Sequence, residues 1–285
     1  MSLKEDLTVL FVSFYSKNII EKPIGQIDRE IPIIVVENSK DLKLKEHLEK
    51  KYPNVKVVIP DYNSGNGGGA NIALNLVKSK YALYLDVDVS LTKSSLEELY
   101  NSANELKNFS IIGPSIDGLK YKKNYFIEKN VIDQVHSMNF ITGCALFFNM
   151  NVLNQIGNFD ENIFLYYEEN DLYVRSLKKN FKIYLNEKAK IKHTGNVSTD
   201  LLNKEEIEIN RNWHLMWSNF YFHKKHYGIF FAYYKSIFKL ITACFKFSYF
   251  FLLRKEIKKR IYLARLSGIL NAMQGKKSWH RTRIE

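Results

Sequence analysis

The chain has 285 residues, 46% of them hydrophobic and 25% charged, with 19 Phe and 18 Tyr; this is core-forming composition and excludes wholesale disorder. Two cysteines, Cys144 and Cys244, exclude a disulfide-stapled scaffold and point to a reducing compartment. Charge is unevenly placed: residues 1–200 carry 25 Lys+Arg and 25 Asp+Glu, whereas residues 201–285 carry 17 and 5, so the whole surplus of +12 is C-terminal.

The opening MSLKEDLTVLFVSFY passes from acidic residues straight into a strand-like run, the wrong order for a signal peptide, and predicts a cytoplasmic protein. Leu7–Phe14 and Ile31–Glu37 are near-continuous apolar runs, and Val55–Ile59 and Tyr81–Leu85 are shorter ones. Such runs predict strands buried on both faces of a mostly parallel sheet. Helical spacing fills the gaps at Asp41–Tyr52, Ala70–Lys80 and Ser94–Lys107, the last with capping-box spacings from Ser94 to Glu97 and Ser95 to Glu98. With a further strand at Phe109–Gly113, the alternation predicts an α/β nucleotide-binding domain. Residues 114–139 are polar and carry no clear period. Beyond them a strand is predicted at Cys144–Met150, a short helix at Asn151–Ile156 ended by Gly157, and a helix at Asp171–Asn180. Short strands follow at Phe181–Leu185 and Lys188–His193, and the pattern is helical from Lys204 onward.

Tyr227–Leu253 is long and apolar, but Lys235, Lys239 and Lys246 interrupt it before any uncharged run reaches the roughly 18 residues of a membrane span. On a helix these lysines fall within about 40° of one another, leaving a wide apolar face, and RKEIKKR (Arg254–Arg260) follows. That form predicts a helix lying on an anionic membrane surface. The competing reading is a helix packed in its own domain, or in a homodimer, with snorkelling lysines.

Four places offer chemistry. The Asn63–Asn71 run NSGNGGGAN reads as a glycine-rich loop ahead of a helix, able to admit a phosphate-bearing ligand. Gly65, Gly67 and Ala70 also fit the G-x-G-x-x-A dinucleotide pattern, which keeps an NAD-linked oxidoreductase open, although that pattern belongs after the first strand and not the third. Asp86 and Asp88 end a predicted strand; alternating positions would put both carboxylates on one face, and a divalent cation would offset their repulsion. Glu168, Glu169 and Asp171 crowd a helix start, which the helix dipole explains and which also suits a general base; Asp171 and Arg175 have ion-pair spacing. His193 follows a strand; beside carboxylates its imidazole would favour an ion such as Mn²⁺.

In this order, VSFYS, VVENSKD, NSGNGGGAN, YLDVDVS, GCALFFNMNVLNQIGNFDENIFLYYEENDLYVR and IKHTGNVS, closing with RNWHLMWSNFYFHKKHYG, resemble the family-2 glycosyltransferases over residues 7–226. More narrowly they are similar to the rhamnosyltransferase-like branch that builds bacterial surface polysaccharides. The resemblance implies a GT-A catalytic domain over 1–203, with a nucleotide-binding half (1–113) and an acceptor half (114–203), and a helical basic region over 204–285. It implies inverting transfer from a UDP- or dTDP-linked sugar, L-rhamnose among the candidates, to a glycan or lipid-linked hydroxyl, with Mn²⁺ or Mg²⁺ as cofactor. Glu37, where the family usually has Asp, would bind the base, and Asn38 and Tyr15 would lie beside it. Val12, Ser13, Gly65, Asn66, Gly67 and Asn71 would line the nucleotide pocket, and Asp86 the ribose or sugar. Asp88 and His193, with Asp86, would hold the metal. Glu169 would be the base, Glu168 its fallback and Asp171 part of the same acidic group; Thr142, Gly143 and Cys144 would border the acceptor. The remaining alternative is a non-catalytic scaffold whose tail binds membrane or nucleic acid, though no sequence-specific nucleic-acid module is recognisable. The tail would place the enzyme peripherally at the inner face of the plasma membrane.

Overall fold

The computed structural model describes residues 2–195 and 204–281. The predicted boundary at 203/204 and the end of the IKHTGNVS motif, residues 196–198, therefore lie outside the described residues. The chain divides into two compact units, Met1–Phe159 with Leu172–Asp200, and Asp160–Asp171 with Leu201–Glu285. This differs from the division expected at 203, because a short internal segment groups with the C-terminal helices.

The first unit holds one ten-stranded sheet. Its strands are β1 (Leu7–Ser13), β2 (Ile33–Glu37), β3 (Val55–Val58), β4 (Tyr81–Leu85), β5 (Val89–Leu91), β6 (Phe109–Ile116), β7 (Phe126–Ile132), β8 (Val135–Met138), β9 (Ala145–Asn149) and β10 (Lys182–His193). The helices in chain order are α1 (Leu3–Asp6), α2 (Glu21–Gly25), α3 (Leu42–Lys51), α4 (Gly65–Leu74), α5 (Lys93–Glu105), α6 (Met150–Ile156), α7 (Glu168–Lys178), α8 (Lys204–Tyr227), α9 (Ile229–Leu252) and α10 (Glu256–Met273).

The order is β3-β2-β1-β4-β9-β6-β10-β8-β7, with β5 paired to β10. β3, β2, β1 and β4 are mutually parallel, while β9 enters antiparallel between β4 and β6. All five residues of β2 and of β4 are buried, as expected for strands covered on both faces. Alternate residues feed two cores: Leu7, Val9 and Phe11 join one, and Leu10 joins Ala70, Ala73 and Tyr84 in the other.

Several local expectations are corrected. The glycines expected to form a loop lie inside α4 from Gly65 onward, where Gly65 takes φ +77°. A Cβ on Gly69 would come within 2.8 Å of Val12 Cγ1, so the missing side chain lets this helix approach β1. The cap of α5 is Thr92, whose hydroxyl accepts from the Ser95 amide, and not Ser94 or Ser95. The two strands predicted at 181–193 are one, β10, with a register irregularity between Asn186 and Lys190 stitched by the Asn186 side chain. The unreadable stretch 114–139 contains the end of β6 together with β7 and β8, the former mostly exposed and thus without an apolar alternation.

In the second unit, α8, α9 and α10 share a core of Trp213, Trp217, Phe220, Ala232, Ile261 and Ala264. Gly228, at φ +88°, ends the expected continuous apolar segment at its first residues by separating α8 from α9. Among the described residues no helix is long and apolar enough to cross a membrane.

Candidate active site

Parallel strands β1, β2 and β4 end along one edge of the sheet, where open α/β sheets receive ligands. Ser13 and Glu37, the last residues of β1 and β2, are register partners and fully buried. Glu37 Oε1 accepts the Ser39 amide at 2.7 Å and the Ser39 hydroxyl. Its Oε2 and the Ser13 hydroxyl are buried without a hydrogen-bond partner. Two orphaned polar atoms side by side are costly unless a ligand completes them, so this strand end fits an N–H donor such as a nucleotide base.

Beyond β4 the chain turns at once. Asp86, Val87 and Asp88 occupy a tight turn, closed by the Val89 amide donating to the Asp86 carbonyl at 3.1 Å. The strand alternation expected to align the two carboxylates is therefore absent; the turn aligns them instead. β5 then pairs antiparallel with β10, setting Val89 opposite His193, and Thr194 N donates to the Asp88 carbonyl. Through this three-residue strand His193 Nε2 comes within 3.2 Å of Asp88 Oδ1. Ligand atoms of Asp86, Asp88 and His193 lie within 4.8 Å of one another. Two carboxylates and an imidazole form a donor set suited to a divalent ion such as Mn²⁺ or Mg²⁺. The hydrogen bond to Asp88 raises the His193 pKa above its ordinary value; burial opposes this, and the charges of Asp88 and Asp86 add to it.

Tyr84 is a residue the sequence reading missed. Its hydroxyl lies 2.7 Å from Asp86 Oδ1 and 2.8 Å from Asn66 Oδ1, tying the start of α4 to the aspartate turn. Its position two residues before Asp86 on one strand face was the available signal. Asn38 is spent on the same corner, donating to the Gly65 carbonyl and accepting from the Ser64 amide and hydroxyl. The side chain of Asn71, expected to line the pocket, exchanges two hydrogen bonds, each 2.9 Å, with the Phe159 backbone. Tyr15, at φ +50°, donates its amide to the Ser39 hydroxyl.

Cys144 is buried, and its carbonyl accepts the Asp86 amide at 2.8 Å. Burial, then the charges of Asp86 and Asp88, push its thiol pKa up. Thr142 exchanges hydrogen bonds with the Tyr121 hydroxyl through its amide and its own hydroxyl. Gly143 follows it on the same loop before β9.

The acidic group falls in the second unit. Tyr166 and Tyr167, at φ +65° and +70°, precede Glu168, two successive non-glycine residues in the left-handed region. That costs on the order of 1–3 kcal/mol each and is found where a turn must present a side chain. Tyr167 is held by Asn219 and packs on Phe222. Glu168 is buried and Glu169 half-buried. Asp171, placed by the resemblance in the same acidic group, is fully buried, and its Oδ1 receives Lys225 at 2.6 Å and His226 at 2.7 Å. Arg175 donates to the carbonyls of Ile156, Gly157 and Asn158.

The sheet order, with an aspartate turn at its carboxyl edge, is a GT-A fold. The chain belongs to glycosyltransferase family 2, whose model, Glycosyl transferase family 2, matches residues 17–159. It is 23% identical over 202 residues to the low-salt glycan biosynthesis hexosyltransferase Agl10 of Haloferax volcanii, covering 64% of this chain and 65% of that protein. It is 30% identical over 145 residues to a poly(ribitol-phosphate) beta-glucosyltransferase of Bacillus spizizenii, covering 48% of this chain and 23% of that one. The chain thus spans less than two thirds of either relative. Among solved structures it resembles the mannosyltransferase PcManGT of Pyrobaculum calidifontis in complex with GDP-Man and Mn²⁺, with TM-score 0.57 at 11% identity over 95% of this chain and 88% of that one. S. aureus TarS 1–349 in complex with UDP gives 0.54 at 15% identity, over 95% and 92%. At these identities both likenesses speak for the fold.

Proposed function

We propose that this protein is a divalent-metal-dependent, inverting hexosyltransferase that moves a sugar from a UDP- or dTDP-linked donor to a hydroxyl of a glycan or lipid-linked acceptor. The observation that carries the reading is the convergence of Asp86, Asp88 and His193 at the sheet edge that also ends in the orphaned atoms of Glu37 and Ser13.

Glu37 Oε2 accepts the N–H of a pyrimidine, and the Ser13 hydroxyl completes that edge. Asp86, steadied by Tyr84, accepts a hydrogen bond from a ribose or sugar hydroxyl of the donor. A divalent ion held by Asp88, His193 and Asp86 would neutralise the leaving diphosphate. Glu169 takes the proton of the acceptor hydroxyl as that oxygen attacks the anomeric carbon from the face opposite the diphosphate, with Glu168 beside it. One displacement inverts the centre and needs no covalent enzyme intermediate. Rhamnose remains one candidate donor sugar within this class. The acceptor class fits a protein held peripherally at an anionic inner membrane face, a reading supported by the C-terminal surplus of +12.

The test is a thermal-shift and turnover screen of NAD and of UDP-, dTDP- and GDP-sugars with and without Mn²⁺. A metal-dependent rise in melting temperature with a UDP or dTDP sugar, followed by nucleoside diphosphate release to an acceptor, is the expected result. Stabilisation by NAD alone, or by none of these, overturns it.

A further inference from the structure

The second unit carries a cationic cleft that the transfer chemistry does not use. It has a volume of about 280 Å³ and is lined by Leu215 and Met216 of α8, Phe238, Lys239 and Thr242 of α9, and Arg265 of α10. At about 30 Å³ per liquid water, that admits a phosphate with the first carbons of its ester. Arg265 rests against the Tyr262 ring at 5.5 Å, and its Nε is buried without a hydrogen-bond partner. Lys239 counts as exposed over the whole residue, yet partial burial, then the charges of Arg265 and Lys235, lower its pKa. All the charges it feels are of its own sign.

The sequence makes acids scarce on these helices. Between Glu208 and Glu256 the chain has no Asp or Glu, and Glu256 is followed by none before Glu285. Glu206 is engaged by Arg260 and Glu256 by Lys259. Two cations sharing a semi-enclosed apolar cleft repel each other and cost free energy unless an anion joins them.

The cleft opens beside an unpartnered apolar stripe. On α9 the small buried residues Ala232, Ser236 and Ala243 form the packed side, with Lys235, Lys239 and Lys246 along its margin. The lysine margin therefore borders the bundle. Phe230 (88% exposed), Tyr234, Phe238 (70%), Ile241, Phe245 (70%) and Tyr249 recur every three or four residues on the other side. At about 200 Å² per large side chain these expose on the order of 800 Å², more than a typical monomer's largest apolar patch. Phe238 belongs to both stripe and cleft.

We propose that the cleft binds the phosphate of an anionic membrane lipid through Arg265 and Lys239, while the α9 stripe lies in the bilayer interface. This rests on the peripheral-membrane reading above and gives it a site. Charge selects the occupant: a second copy would bring the same acid-free helix and the same Arg254–Arg260 segment against itself, like charge on like. An anionic bilayer offers the opposite sign, with an apolar layer just beneath it.

The full chain is floated with vesicles of phosphatidylcholine, with and without phosphatidylglycerol, as wild type, Arg265→Gln, Lys239→Gln and the exposed control Lys258→Gln. The expected result is binding only with phosphatidylglycerol, reduced at least about tenfold by Arg265→Gln or Lys239→Gln through loss of a charge-assisted hydrogen bond, and at most about fivefold by Lys258→Gln. Without lipid, the two cleft variants should melt at or above the wild-type temperature, because each relieves repulsion; a lowered melting temperature assigns the cations a structural role and overturns the site. Equal losses in all three variants overturn the site and leave the membrane reading standing. No flotation of the wild type overturns both. Stabilisation by inorganic phosphate equal to that by a short-chain phosphatidylglycerol, or a concentration-dependent dimer that masks the stripe, also overturns the proposal.

Discussion

At Glu169 the side chain is one methylene longer than the aspartate that the family resemblance leads one to expect. If it is the base, Glu169→Gln should lower turnover by at least roughly 100-fold, in line with what positioned acid–base groups contribute, with donor binding by thermal shift preserved. Near-normal turnover transfers the role to Glu168. His193 makes a separate prediction. Because Asp88 raises its pKa, the imidazole must lose a proton to become a ligand, so metal affinity should fall as the pH is lowered, beginning above the ordinary histidine value of about 6.5. Titration calorimetry with Mn²⁺ across pH 5.5 to 8 reads this directly, and His193→Gln should flatten the profile. Asp86 and Asp88 were legible as a pair from the sequence alone. Their partnership with His193 came from the family resemblance and not from local pattern, because it depends on β5 pairing with β10, a contact between segments far apart in the chain.

Among the elements, the buried strands of the parallel half were the most legible. β2 and β4 are covered on both faces, so burial wrote them as unbroken apolar runs. The α4 glycines misled for a physical reason: composition suggested a loop, but tertiary approach to β1 favours residues without a Cβ and overrides their poor helix propensity. Gly69→Ala should therefore destabilise the protein by about 1–3 kcal/mol, measured by denaturant unfolding. Gly268→Ala should cost more, because its Cβ would collide with the Trp213 carbonyl oxygen, a backbone atom of α8 with no rotamer to yield. A smaller loss at Gly268 than at Gly69 would contradict this ordering. α7 starts earlier than its pattern implied, since two left-handed tyrosines set its first turn and leave no periodic signal.

For the molecule as a whole, the two units carry different liabilities. In the helical unit burial lowers the His214 pKa to about 3 and the His223 pKa to about 4. Both titrate near 6.5 when unfolded. Their neutral burial thus contributes fully above pH 6.5 and is lost as pH falls through the folded values, by up to about 1.4 kcal/mol per pH unit for His214. Urea unfolding at pH 7.5 and 5 should show the loss, and His214→Asn, which takes up no proton, should show a shallower one. Taken alone, the sequence determined the α/β class, the edge aspartates, the acidic helix start and the confinement of surplus charge to the last 85 residues, because apolar period, adjacency and net charge are local properties. Tertiary structure decided how His193 reaches the aspartates, that Asn71 bonds the Phe159 backbone and Asp171 takes Lys225 and His226, and that α9 turns its aromatic side outward while its lysines border the bundle. Those outcomes depend on which distant segments meet, and a one-dimensional period carries no record of its partner.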